Sequence, residues 1–156
     1  MTDTPQVLTN RLREEGVRVI EFFNHLTQDQ WGGYVYPKDS CWTLHHLLAH
    51  FVSSEIGRKE LIINVSAGGQ GAPPNFKIDT FNQEEVGRLL CESNSYLLEL
   101  FSQERADLIA FISALDMEDL ERIGNDPFLG EVPLSEMIKL TYRHLQIHLR
   151  DARRCL

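Results

Sequence analysis

The sequence predicts an all-α fold, a four-helix bundle in which a long crossover link between the second and third helices gives the order up-down-down-up. Three observations lead there. Apolar residues recur at spacings near 3.6 along four separate stretches. Helix-entry residues stand ahead of these stretches, at Thr4-Pro5 and at Thr43. One long connection, from Ser66 to Thr80, is too rich in Gly and Pro to continue a helix. No strand of useful length and no internal repeat is apparent.

A chain of 156 residues is expected to form one domain over residues 1–156. Apolar content of 42% and charged content of 24% are ordinary for a globular protein. No apolar run approaches the roughly 18 residues needed to span a bilayer, so no membrane partner is expected. The N-terminus, Met-Thr-Asp-Thr-Pro-Gln, carries no export signal, which makes the cytoplasm the expected compartment. Cys41, Cys91 and Cys155 form no Cys-x-x-Cys pair and read as reduced thiols. The net charge of −8 argues against a nucleic-acid partner, because phosphate binding needs clustered cations. The one basic cluster, Arg150, Arg153 and Arg154, falls in a last helical turn, where cations complement the helix dipole.

The first helix runs from Thr4 to about Leu26, with Val7, Leu8, Leu12, Ile20, Phe23 and Leu26 as its buried stripe and His25 near its C-terminus as a surface or capping residue. Thr27 to Cys41 reads as a loop with one short turn. The second helix, capped by Thr43, runs from Leu44 to about Asn64 and turns Leu44, Leu47, Leu48, Phe51 and Ile62 to one face. Glu55 falls near the middle of that face, where a carboxylate costs several kcal/mol unless it is paired, so it needs a partner. His50 lies at the edge of the face. The Ser66–Thr80 link is long enough to carry the chain back along the bundle and start a helix parallel to the second. It lacks the Gly-Lys-Ser/Thr ending of a phosphate loop.

Helical pattern resumes at Phe81, with Asn82 and Glu85 as a cap pair, and continues to about Leu115. Gly87 and Ser93-Asn94-Ser95 weaken its middle, predicting a short helix to about Cys91, a break, and then the main third helix. Residues 117–122 add a turn that Gly124-Asn-Asp-Pro127 ends. The last helix, Pro133 to Ala152, buries Met137, Ile138, Thr141, Leu145 and Ala152, with His144 and His148 flanking this stripe.

His144 and His148 are the chemical centre of the sequence. Residues four apart stack on one helix face with Cβ atoms roughly 5–6 Å apart, a span two imidazoles can close on one ion. By spacing alone such a pair suits core or surface histidines as well as a metal site. There is no Glu beside His144, so the zinc-protease pattern His-Glu-x-x-His is absent. The third candidate ligand is His50. His46, one turn before it, could line the site, while His45 points away and reads as solvated. Asp151, three residues after His148, could orient a histidine. Trp42, Tyr34 and Tyr142 read as core or rim. Three imidazoles suit Zn, Ni, Cu or Fe and leave a coordination position open.

The segment Trp42-Thr-Leu-His-His-Leu-Leu-Ala-His50, followed by Glu55 and by Tyr142-Arg-His144-Leu-Gln-Ile-His148, resembles the DinB/YfiT-like superfamily of metalloenzymes over nearly the whole chain. The resemblance implies the four-helix bundle with parallel second and third helices. It implies His50, His144 and His148 as ligands of a divalent ion, nickel or zinc, and Glu55 matches an acidic position the family often shows, which leaves His46, Glu55 and Asp151 as the candidate pocket or supporting residues. Relatives include thiol-dependent S-transferases and a mycothiol-dependent maleylpyruvate isomerase. The implied function is a metal-dependent enzyme that activates a small thiol or water for transfer to, or hydrolysis of, a small-molecule substrate. The alternative is a non-catalytic metal- or ligand-binding stress-response bundle. A homodimer through an exposed helix face is compatible with either.

Overall fold

The computed structural model describes residues 2–156. In chain order the elements are α1 (Pro5–Asn24), β1 (Tyr34–Tyr36), β2 (Trp42–Thr43), α2 (Leu44–Ser66), α3 (Ile78–Leu89), α4 (Asn94–Ser113), β3 (Ile123–Asp126), β4 (Gly130–Pro133) and α5 (Leu134–Arg153). Helices α1, α2, α4 and α5 form the bundle, and α3 packs against α2. Among the described residues, no helix is long and apolar enough to cross a membrane.

The helix starts follow from local chemistry. Thr4 Oγ1 accepts from the Val7 amide at 3.1 Å, with Pro5 in the first turn. At α2, Thr43 Oγ1 accepts from the His46 amide at 3.4 Å and His46 Nδ1 accepts from the Thr43 amide at 3.3 Å. This is a capping box with an imidazole in the place usually taken by Glu. The expected break separates α3, ending at Leu89, from α4, starting at Asn94, but the start of α3 departs from expectation. Helix α3 starts at Ile78, so Asn82 lies inside it. Ser93 caps α4 by accepting from the Tyr96 amide at 3.1 Å. Ser93-Asn94-Ser95 is thus a helix start. His45, expected in solvent, holds this junction: its Nε2 bonds the Leu90 carbonyl at 3.0 Å and its Nδ1 faces Asn94 Oδ1.

Side-chain pairs fix the helix directions. Along α2 and α4, His45 meets Asn94, Glu55 meets Arg105 and Lys59 meets Glu104, so these helices run parallel. Along α2 and α5, His50 meets His144 and Arg58 meets Met137, so this pair is antiparallel. Asp3 pairs with Lys139 and Phe22 with Arg153, which sets α1 parallel to α5. The order is up-down-down-up.

Two apolar clusters fill the bundle. One gathers Phe23, Leu47, Phe51, Leu97 and Phe101, the other Leu8, Leu12, Ile62, Leu108, Ile112 and Met137. Between them lies a buried polar layer. Glu55, 1% exposed, forms a bidentate ion pair with Arg105 of α4, whose Nη1 also donates to the Leu12 carbonyl at 2.7 Å. Arg58 pairs with Asp126 at 2.7 Å and donates to the Met137 carbonyl at 2.7 Å. Burial of these charges is tolerable because each is paired and hydrogen-bonded.

Two hairpins correct the expectation of no strands: β1 pairs antiparallel with β2, and β3 with β4. They also correct the expectation of no repeat. Each follows a single 3₁₀ turn and leads directly into a long helix, so α1-β1-β2-α2 and α4-β3-β4-α5 share one plan. Thr27 and Gln30 exchange side-chain-to-amide bonds, as do Asp116 and Asp119. The Leu44 amide donates to Gly33 and the Leu134 amide to Arg122, at 3.0 and 2.8 Å. Backbone bonds and one side-chain pair carry this plan, so little residue identity accompanies it.

The crossover link is pinned to β3. The Ala72 amide donates to the Asn125 carbonyl and the Asn125 amide to the Gln70 carbonyl, both at 2.8 Å. Gly71 sits between them at φ +87°, and a Cβ there would lie inside contact distance of the Asn125 backbone. Only glycine meets both conditions.

Candidate metal centre

Where α2 and α5 cross antiparallel, three imidazoles converge. His50 is 3% exposed, and its Nε2 lies 3.3 Å from His144 Nε2, which lies 3.0 Å from His148 Nε2. One ligand atom from each of the three falls within 4.8 Å of the others. The sequence pattern accounts for this. His144 and His148 share a face of α5, and His50 sits on the edge of α2's buried face that α5 covers.

The donor chemistry fits a metal ion. Burial pushes the His50 pKa well below its ordinary value, with His144 and His148 adding to the shift. Burial, then His148 and Arg58, push His144 down to about 3. Burial also lowers His148, against the pull of Asp151. All three are neutral at physiological pH and present lone pairs. Two lone pairs at such separations repel unless a proton or cation lies between them. Zinc-to-nitrogen bonds of about 2.0–2.1 Å at tetrahedral angles set neighbouring nitrogens roughly 3.3–3.4 Å apart, close to the spacing here. The cluster could therefore hold a divalent ion.

Tyr36, not singled out from the sequence, completes the centre. Its hydroxyl donates to Asp151 Oδ2 at 2.8 Å and so accepts from His148 Nδ1 at 2.7 Å. This fixes the proton on Nδ1 and leaves the Nε2 lone pair facing inward. Burial and then Asp151 raise the Tyr36 pKa, keeping the phenol protonated. The only sequence signal for it was the Tyr-Val-Tyr alternation ahead of Trp42, which reads as a strand once the hairpin is known. Trp42 covers His50, ring centroids 4.9 Å apart.

The other candidate residues stand outside the three-histidine cluster itself. His46 is committed to Thr43 at the start of α2, and Glu55 to Arg105 in the polar layer. Asp151 is joined to His148 by hydrogen bonds through the Tyr36 hydroxyl. Tyr142 is buried in the second apolar cluster, and Tyr34 is exposed. His25 closes α1 with Nδ1 2.6 Å from the Glu21 carbonyl, the expected capping role.

A pocket of about 270 Å³ opens beside His50 and His144. Leu61 of α2, Phe81 of α3, Pro73 and Phe76 of the link, and Phe128 of the β3–β4 turn line it. The link, expected to carry the chain back along the bundle, forms one wall.

The DinB superfamily profile matches residues 11–152. No curated protein sequence matches the chain. Among solved structures, YfiT from Bacillus subtilis is described as a probable metal-dependent hydrolase with an unusual four-helix bundle topology. It is similar with a TM-score of 0.79 at 14% identity, over 97% of this chain and 85% of that one. A mycothiol-dependent maleylpyruvate isomerase aligns with a TM-score of 0.77 at 17% identity, over 95% of this chain and 60% of that one. The chain thus spans 60% of the isomerase's length. The colibactin self-resistance protein ClbS, solved in complex with a dsDNA, aligns with a TM-score of 0.68 at 16% identity, over 100% and 99%. At these identities the likeness is one of fold. It also corrects the exclusion of nucleic acid: a chain of this fold is seen with duplex DNA. A net charge of −8 is a sum over the whole surface and does not rule out a local contact. With its bundle order, crossover link and matched residues, the chain belongs to the DinB superfamily.

Proposed function

We propose that this chain is a divalent-metal-dependent enzyme, with nickel or zinc held by His50, His144 and His148, that transfers a small thiol to, or hydrolyses, a small-molecule substrate. The observation that carries this reading is the convergence of three neutral imidazoles beside an open pocket. A bound ion would supply Lewis acidity, polarising a small oxygen or sulfur ligand. The chain's own residues do the rest: Tyr36 keeps His148 in one tautomer, Trp42 and Phe51 exclude water around His50 and His148, and the pocket positions substrate.

A purely sequestering bundle would favour a closed shell with a fourth protein ligand. The commitment of Glu55 to Arg105 and of His46 to Thr43 supports an open position instead. The test is metal analysis of the purified protein beside His148→Ala, followed by thiol-transfer and hydrolysis assays with small electrophiles. Stoichiometric metal in the parent and its loss in the variant, with turnover only in the parent, are expected. Absence of divalent metal after loading would refute the reading. A homodimer belongs to it as well, and light scattering at several concentrations decides that part.

A further inference from the structure

We infer that the pocket beside His50 and His144 is a subsite for a compact, uncharged, apolar group of about one ring in size, its single polar end turned to the histidines. The inference rests on the reading of the site proposed above and names its substrate class.

Charge comes first. The one cation on the wall, Arg58, is neutralised by Asp126 at 2.7 Å and spends another donor on the Met137 carbonyl at 2.7 Å. Apart from an ion held by the histidines, the wall offers no free positive charge to a carboxylate or phosphate. The one acid on the wall, Glu60, is exposed and would repel an anion. Asn64 Oδ1 is held by the Gly71 amide at 2.9 Å. Ser54, Asn82, the side-chain amide nitrogen of Asn64 and the edges of the two histidines, all neutral, are the polar contacts left.

The apolar walls set shape. Phe76 and Phe81 meet at 5.4 Å, and the Phe128 ring lies 6.0 Å from His144. Phe76 is 38% and Phe128 53% exposed. A ligand seated between them would remove that apolar surface from water, which is where its affinity would come from. The volume of about 270 Å³ is below the roughly 300–1,000 Å³ of drug-sized sites, whereas a cavity of about 150 Å³ already accepts benzene. The link wall is held by the Gly71–Asn125 pairing, so the shape is preformed.

The test uses the full chain after chelation, so that no probe can bind through a metal. Benzyl alcohol, benzoate and benzylammonium are titrated at pH 7.5, read by calorimetry and by Trp42 fluorescence. Benzyl alcohol is expected to bind roughly tenfold or more tighter than benzoate, because a carboxylate in this pocket would lose hydration without gaining a partner, and tighter than benzylammonium, whose one counter-charge on the wall, Glu60, is exposed and screened by solvent. The double variant F76A/F128A removes two exposed rings and should weaken benzyl alcohol by about fivefold or more, while circular dichroism stays unchanged. Benzoate binding as tightly as the alcohol, an unchanged affinity in the double variant, or no alcohol binding at all would each overturn the inference. Metal content of the same preparation before chelation reports on the proposed enzyme separately, so a pocket that binds in a protein without metal condemns only that reading.

Discussion

The Tyr36 hydroxyl lies 2.7 Å from His148 Nδ1, joining a three-residue strand to a helix 112 positions away in sequence. Because the same hydroxyl donates to Asp151, its free lone pair is what His148 can bond. Loss of such a supporting bond typically costs 10–100-fold in metal affinity. Tyr36→Phe is therefore expected to weaken divalent-metal binding by roughly 10–100-fold with little change in folding. Competition with a chromophoric chelator measures it, and an affinity equal to the parent's would show that His148 needs no orienting partner.

Glu55 and Arg105 form a buried ion pair in the polar layer between the two apolar clusters. Removing one member leaves a buried charge without a partner, so Glu55→Ala should cost about 3–5 kcal/mol of stability in urea unfolding. Replacing both by apolar residues of similar volume should recover most of that loss. Where the single variant still folds, its metal affinity should match the parent's. A selective loss of metal would instead assign Glu55 to the centre.

Stability of the metal-free protein should fall in acid. An unfolded histidine titrates near 6.5, whereas His144 is held down to about 3 and His50 well below the ordinary value. As pH drops from about 6.5 towards 3, the unfolded chain takes up protons that the folded chain refuses, and unfolding gains. The slope is at most about 1.4 kcal/mol per pH unit for each such histidine, and these groups contribute none above pH 6.5 or so. Urea midpoints of the chelated protein at pH 5 and 7.5 measure it. The triple His→Ala variant should lose this component of the slope.

Gly71 holds the crossover link against β3 at φ +87°, with no room for a Cβ beside Asn125. Gly71→Ala should cost about 1–2 kcal/mol in left-handed backbone strain alone and loosen the link locally. Faster hydrogen exchange at residues 70–72 and 125, with the four long helices unaffected, is the expected pattern.

The spacing of apolar residues determined the four helices, and the caps at Thr4 and Thr43 set two of their starts, because helix periodicity and capping are local properties. The Gly- and Pro-rich link determined the parallel return. His144 and His148 were legible as a pair because one helix turn brings them together, and His50, at the edge of the second helix's apolar face, was legible as the candidate third ligand that the family resemblance also implies. The hairpins escaped because strands of two to four residues carry too little alternation to stand out. Ser93-Asn94-Ser95 marks the break between α3 and α4, but that Ser93 caps α4 was not legible, since the apolar period alone does not fix where that helix begins. What only the tertiary structure decided were the partners. Glu55 visibly needed a cation, yet nothing local pointed to Arg105, and Asp151 and Tyr36 took their roles from a contact across the chain, whereas His46 is held locally in the cap of α2. A helix periodicity states which face is buried, but what meets a polar group on that face depends on the neighbouring helix, and that is fixed only when the bundle closes.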